Sequence, residues 1–129
     1  GVDYVSYCWA EIEGFSKFGR YEGNASTDGP FIYCGFKPAF IMIKNIDTAG
    51  GLWIIGDNAR VSTNPINGYL HAESNANEYG PLNGDAEYTW VDFLSNGFKL
   101  RQTGDSINAA DTYIFMAFAE SPFQTANAK

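Results

Sequence analysis

Basic side chains are scarce in this sequence. It carries eight Lys and Arg against fifteen Asp and Glu, for a net charge of −7. The eight are scattered from Lys17 to Lys129, and no two are adjacent. Phosphate is held by clustered Lys and Arg, so nucleic acid is not an expected partner, and neither is an anionic membrane surface. Long apolar runs are also missing. Runs such as Ala39-Phe40-Ile41-Met42-Ile43 have the length of a strand, far short of the roughly 20 residues of a membrane helix. No basic segment followed by an apolar one opens the chain, so no signal peptide is expected. The chain starts without Met, which fits a processed or excised part of a longer polypeptide.

Reactive groups are equally sparse. His71 is the single histidine, so a Ser–His–Asp or Cys–His arrangement would have to use it. No Gly-x-Ser-x-Gly turn accompanies it. Cys8 and Cys34 form no Cys-x-x-Cys and no Cys/His cluster, which excludes a structural zinc site. Both lie in apolar, strand-like segments and are expected as buried free thiols. There is no Walker loop and no Gly-x-Gly-x-x-Gly, so no cofactor is assigned. Asp105, Asn108 and Asp111, and the pair Asp57-Asn58, lack EF-hand spacing and read as turn formers, not as a metal site. Glu11 and Glu120 hold matching places at strand ends. Two facing carboxylates could work on a glycosidic bond, but each reads as a solvated or backbone-bonded residue. No catalytic residue is assigned, and the chain is read as a non-enzyme.

What remains is rich in strand signals. With 45% hydrophobic and 18% charged residues, the 129-residue chain is globular and fits one domain, residues 1–129. Fourteen Gly and five Pro leave short segments filled with aromatic and β-branched residues. Strands are expected at Tyr4–Glu11, Lys17–Tyr21, Phe31–Gly35, Ala39–Asn45, Leu52–Asp57, Tyr88–Leu94, Phe98–Gln102 and Thr112–Glu120. In the last, Tyr113, Phe115, Ala117 and Ala119 share one face while Ile114, Met116 and Phe118 share the other. Both faces are apolar, so this strand is placed centrally and covered on both sides. Asn96-Gly97 predicts a type I′ hairpin pairing Trp90–Leu94 with Phe98–Arg101. Gly23–Pro30 and Asn58–Asp85 read as long Asn/Gly-rich loops, with a short helix possible at Leu70–Ala76. The expected fold is all-β, an antiparallel β-sandwich or jelly roll.

One internal similarity stands out. Tyr4-Val5-Ser6-Tyr7-Cys8-Trp9-Ala10-Glu11 resembles Tyr113-Ile114-Phe115-Met116-Ala117-Phe118-Ala119-Glu120. Either the two are equivalent neighbouring strands, or residues 1–13 continue from an upstream copy; the second reading is preferred.

Most aromatics, including Trp9 and Trp53, sit at alternating positions and read as core. The binding candidates are Tyr69, His71, Tyr79 and Trp90, with the loops Gly23–Pro30 and Asn58–Gly84. Rings there would stack on sugar faces, and Asn and Asp would bond hydroxyls.

The ordered landmarks Tyr7-Cys8-Trp9-Ala10-Glu11-Ile12-Glu13-Gly14-Phe15-Ser16-Lys17-Phe18-Gly19, Gly29-Pro30-Phe31, Gly35-Phe36-Lys37-Pro38-Ala39-Phe40, Asn64-Pro65, Leu94-Ser95-Asn96-Gly97-Phe98 and Tyr113–Phe123 carry a resemblance over nearly the whole chain. It is similar to an uncharacterised domain of tailed-bacteriophage virion proteins. That domain is often C-terminal in tail-fibre or appendage proteins that also carry laminin-G/concanavalin-like domains. The resemblance implies a structural virion component, assembled in the host cytoplasm, with other virion proteins as partners. It implies a homo-oligomer, a trimer by the usual build of phage fibres, and recognition of a host-surface glycan or receptor. The alternative is a capsid decoration protein; a glycan-degrading enzyme ranks third. The resemblance supplies no catalytic or ligand residues.

Overall fold

The computed structural model describes residues 1–80 and 89–121. Its strands are β1 (Ser16–Glu22), β2 (Phe31–Tyr33), β3 (Pro38–Asn45), β4 (Trp53–Asp57), β5 (Leu70–His71), β6 (Val91–Leu94), β7 (Gly97–Leu100) and β8 (Thr112–Ala119). They form two antiparallel sheets, one ordered β1-β8-β3-β4-β5 and one ordered β2-β7-β6. The fold is an all-β sandwich, and no helix occurs among the described residues.

Alternation along the strands builds the core. Ile41 and Ile43 of β3, Ile54 of β4, and Tyr113, Phe115 and Ala117 of β8 point inward from the larger sheet. Ile32 of β2, Val91 and Phe93 of β6, and Phe98 and Leu100 of β7 meet them from the smaller one. Phe98 and Phe115 join the two sheets edge to face, 5.4 Å between ring centroids. Burying such side chains is the main favourable term in folding, roughly 1.5–3 kcal/mol each.

β8 is central, as its pattern predicts, pairing with β1 on one side and β3 on the other. Its second face is not fully covered. Ile114 stays 38% exposed, and Met116 and Phe118 are half-buried. The hairpin forms between β6 and β7 with Leu94 opposite Gly97, so Ser95 and Asn96 make its tip. Neither Asn96 nor Gly97 has positive φ, which rules out the type I′ turn. Gly97 is needed for a different reason: a Cβ there would lie 2.1 Å from the Ile32 carbonyl oxygen of β2.

Four further expectations are corrected. Tyr4–Glu11 forms no strand; it is an exposed arm that reaches the body only at its end. Cys8 is therefore exposed, while Cys34 is buried as expected. The segment proposed as a helix at Leu70–Ala76 begins instead as β5, paired with β4 through Ile54–His71 and Ile55–Leu70. The expected strand at Tyr88–Leu94 starts at Val91, and Tyr88 lies outside the described residues, as do the loop positions from Pro81 to Asp85.

The two thiols should differ sharply in reactivity. Burial pushes the Cys34 thiol up to about 12, and the thiolate is the nucleophile. A thiol titration of the native protein should count one group, Cys8, and two after unfolding. Rapid labelling of both in the native state would contradict this burial.

Candidate functional site

The four binding candidates come together around one cavity. Trp90 lies just before β6 and is fully buried. Its backbone is fixed by Trp90 N–H to Ile66 O at 3.0 Å and Arg101 N–H to Trp90 O at 2.8 Å. Its indole N–H donates to the Gly68 carbonyl at 3.2 Å. The ring fits because β4 presents a glycine: a Cβ on Gly56 would lie 2.3 Å from the indole. Tyr69 and Tyr79 hold each other through two backbone hydrogen bonds of 2.9 and 3.0 Å. Their rings stack in parallel at 5.0 Å and 4°. Tyr69 also meets Trp90 edge-on at 6.1 Å. His71, one residue beyond Leu70 in β5, sets its ring edge-on to Tyr69 at 5.4 Å and to Tyr79 at 5.2 Å.

These rings, with Leu52, Ile54, Ser106 and Ile107, line a cavity of about 130 Å³. One water needs only about 10–15 Å³ of such space. A drug-sized ligand occupies a pocket of roughly 300–1,000 Å³. The space therefore suits one small group, such as part of a sugar ring, and not a whole oligosaccharide.

The electrostatics are unusual at one atom. The His71 side chain is 6% exposed, and its Nδ1 stands 4.0 Å from a Glu73 carboxylate oxygen. That is too far for a hydrogen bond, and Nδ1 is buried without a partner among the described residues. The other Glu73 oxygen accepts from Trp53 N–H at 3.1 Å. A buried polar atom left unpaired costs about 1–3 kcal/mol, and such atoms are rare in folded proteins. A ligand hydroxyl in the cavity would supply the missing partner. Among the described residues no Lys or Arg lines the cavity, so its chemistry favours a neutral ligand over an anion.

The remaining candidates lie elsewhere. The Gly23–Pro30 loop does not line the aromatic cavity; it is tied to Asn108, next to the cavity residue Ile107. Asn108 binds it through Asn24 and Ser26, and Ala25 N–H reaches the Asn108 carbonyl. Asp57 caps the turn after β4 by accepting from Ala59 and Arg60 N–H. Asp111 accepts from Asn45 and Thr48. Among the described residues no cluster of His, Cys, Asp and Glu could hold a metal ion.

Glu11 and Glu120 do not share a site. Glu11 lines a groove of about 420 Å³ with Glu13, Ser16, Lys17, Tyr33 and Cys34. Its ion pair with Lys17, 2.6 Å, holds its carboxyl below the usual range, the wrong direction for a general acid. Glu120 pairs with Lys37 at 2.9 Å and accepts from Asn58.

Sequence reasoning missed Leu52, Ile54, Ser106 and Ile107. Ile54 becomes a neighbour of His71 only through the β4–β5 register, and no local pattern reveals it. Ser106 and Ile107 sit in a turn-rich segment whose own residues give no sign of facing the loop 60–80.

Neither a curated protein nor a solved structure matches the chain. A family model matches residues 1–122, arm and sandwich together, and the chain belongs to that family, a domain of unknown function (DUF7483).

Proposed function

We propose that this domain is a non-catalytic recognition module of a bacteriophage virion fibre or appendage, and that the cavity ringed by Tyr69, His71, Tyr79 and Trp90 takes a neutral, hydroxyl-bearing group of a host-surface glycan. The virion assignment rests on the sequence resemblance. The site rests on one observation: four aromatic rings enclose a small cavity with a buried, unpartnered His71 Nδ1. Aromatic faces pack on the C–H faces of sugars, and a polar atom among them fixes orientation. Tyr79, 39% exposed, forms the accessible wall.

The test is a titration with neutral mono- and oligosaccharides, followed by NMR of the Tyr, Trp and His ring signals. A binding sugar should shift the His71 and Tyr79 signals first. Tyr79→Ala should weaken that binding about tenfold, roughly 1.4 kcal/mol. Unchanged affinity in Tyr79→Ala, or a sugar that shifts only signals outside the cavity, would remove the site.

Capsid decoration is the second reading. The observation favouring it is the exposed apolar arm, a device suited to joining neighbouring subunits. Cryo-EM of the virion separates the two: density at fibre tips supports glycan recognition, and density over the capsid lattice supports decoration.

A further inference from the structure

Among the described residues, the N-terminal arm is the largest unpartnered feature. Val2, Tyr4, Val5 and Tyr7 are 74–88% exposed and Trp9 is 54% exposed. Up to Trp9, among the described residues, the arm bonds only to itself, through a Ser6–Cys8 contact and a Tyr7–Trp9 stack. Attachment to the body begins at Ala10, whose carbonyl accepts from Ser16 Oγ. It continues with the Ile12–Ser16 bridge. A soluble body does not leave so much contiguous apolar surface uncovered without use.

β1 offers the matching vacancy. It is an edge strand, joined to β8 on one side only. Gly23 N–H bonds to Asp111 O, and Ala119 N–H to Phe15 O. The odd-numbered residues thus face β8, and the main chain of Phe18, Arg20 and Glu22 faces the open edge, where Phe18 N–H already donates to Glu11 Oε2 at 3.5 Å. From that edge an open apolar groove of about 290 Å³ runs across the outer face of the larger sheet, lined by Phe18 of β1, Ile114 and Met116 of β8, Met42 of β3 and Trp53 of β4.

We propose that the arm of one copy adds as an antiparallel strand to the open edge of β1 in a second copy of this chain. Three observations point to a second copy. The arm reads like β8, the strand that β1 already accepts. The family match covers arm and sandwich as one unit, so the arm recurs with its acceptor. Pairing within one chain is disfavoured by register. The Ile12–Ser16 bridge fixes the parity, so a continued hairpin would set Ala10 and Cys8 on the Phe18 face and turn Tyr7 and Trp9 away from the groove. A strand from another copy has no such anchor. A one-residue shift reverses the faces and sets Val5, Tyr7 and Trp9 on the outer face, beside Phe18 at the β1 end of the groove. Passing an arm onward is a heterologous contact, which closes into a ring when the rotation allows.

The test uses the intact chain in sedimentation equilibrium and hydrogen exchange at about 100 μM, in the range where exposed strand edges pair. The expected result is a closed oligomer, with the amides of Val5, Tyr7 and Trp9 and of Arg20 and Glu22 slowed about 100-fold relative to the dissociated chain. Tyr7→Pro removes a strand donor without touching the sandwich. It should yield a monomer with unchanged circular dichroism. A monomeric parent chain, an oligomer with an unprotected arm, or an oligomer that survives Tyr7→Pro would each overturn the proposal. These results leave the aromatic cavity untouched.

Discussion

Replacing Trp90 with alanine is expected to cost about 4–5 kcal/mol of stability, the upper end for a buried aromatic. That is a large part of the roughly 5–15 kcal/mol that holds a domain together. Three losses add up. The indole leaves a void beside Gly56, which cannot fill it. The Gly68 carbonyl loses its donor at 3.2 Å. Tyr69 loses the ring it packs against, so the cavity should collapse with it. Chemical denaturation measures the loss directly. A double-mutant cycle identifies its cause. Gly56→Ala alone forces a methyl to within 2.3 Å of the indole and should destabilise by about 1–3 kcal/mol. In a Trp90→Phe background the atoms it strikes are gone, and the same substitution should cost well under 1 kcal/mol. Equal costs in both backgrounds would show that the indole–glycine contact does not govern this site.

Asn108→Leu is the second large effect. Asn108 is fully buried and ties together three segments. The two Nδ2 hydrogens are shared among Asn24 Oδ1 at 3.0 Å, Ser26 O at 2.8 Å and Gln102 O at 2.8 Å. Its Oδ1 accepts from Asn24 N–H at 3.0 Å. An apolar side chain of similar size removes all four bonds and should cost about 3–4 kcal/mol, since part of the Asn24–Ser26 segment can turn to water. Asn108→Asp sharpens the test. Its carboxylate would face three oxygens, so its folded-state pKa rises. Its penalty is then absent below about pH 4 and grows as pH rises through the unfolded value. A pH-independent loss in Asn108→Asp would mean that the loop carbonyls do not face this side chain.

The sandwich was legible because its strands carry a period of two. Ile41 and Ile43, or Tyr113, Phe115 and Ala117, announce the buried face residue by residue. The site was legible for a different reason: Tyr69, His71 and Tyr79 are bulky rings in a segment of turn formers, where core packing gives them no obvious role. The misreadings share one cause, which is that pairing is non-local. Tyr4–Glu11 has the same local character as Thr112–Glu120, yet only the latter has strands on both sides. Leu70–His71 could end a helix or start a strand, and the choice is made by Ile54 and Ile55 across the sheet. Gly97 looked like a turn glycine because its neighbour is Asn96. The constraint on it comes from Ile32, some sixty positions away.

The position of β8 also sets the timing of folding. During synthesis β1 and β3 emerge early, but the strand that joins them is the last of the eight to leave the ribosome. Until Thr112–Ala119 appears, β1 has no neighbour in the larger sheet, and Gly19 and Tyr21 lack the Phe115 and Tyr113 rings they pack beside. Long-range pairing of this kind folds slowly and late. It also exposes unpaired edges meanwhile, which is when chains stick to one another. Translation that stops short of Thr112 would therefore release a chain without its central strand, a substrate for proteases and not a weakened module.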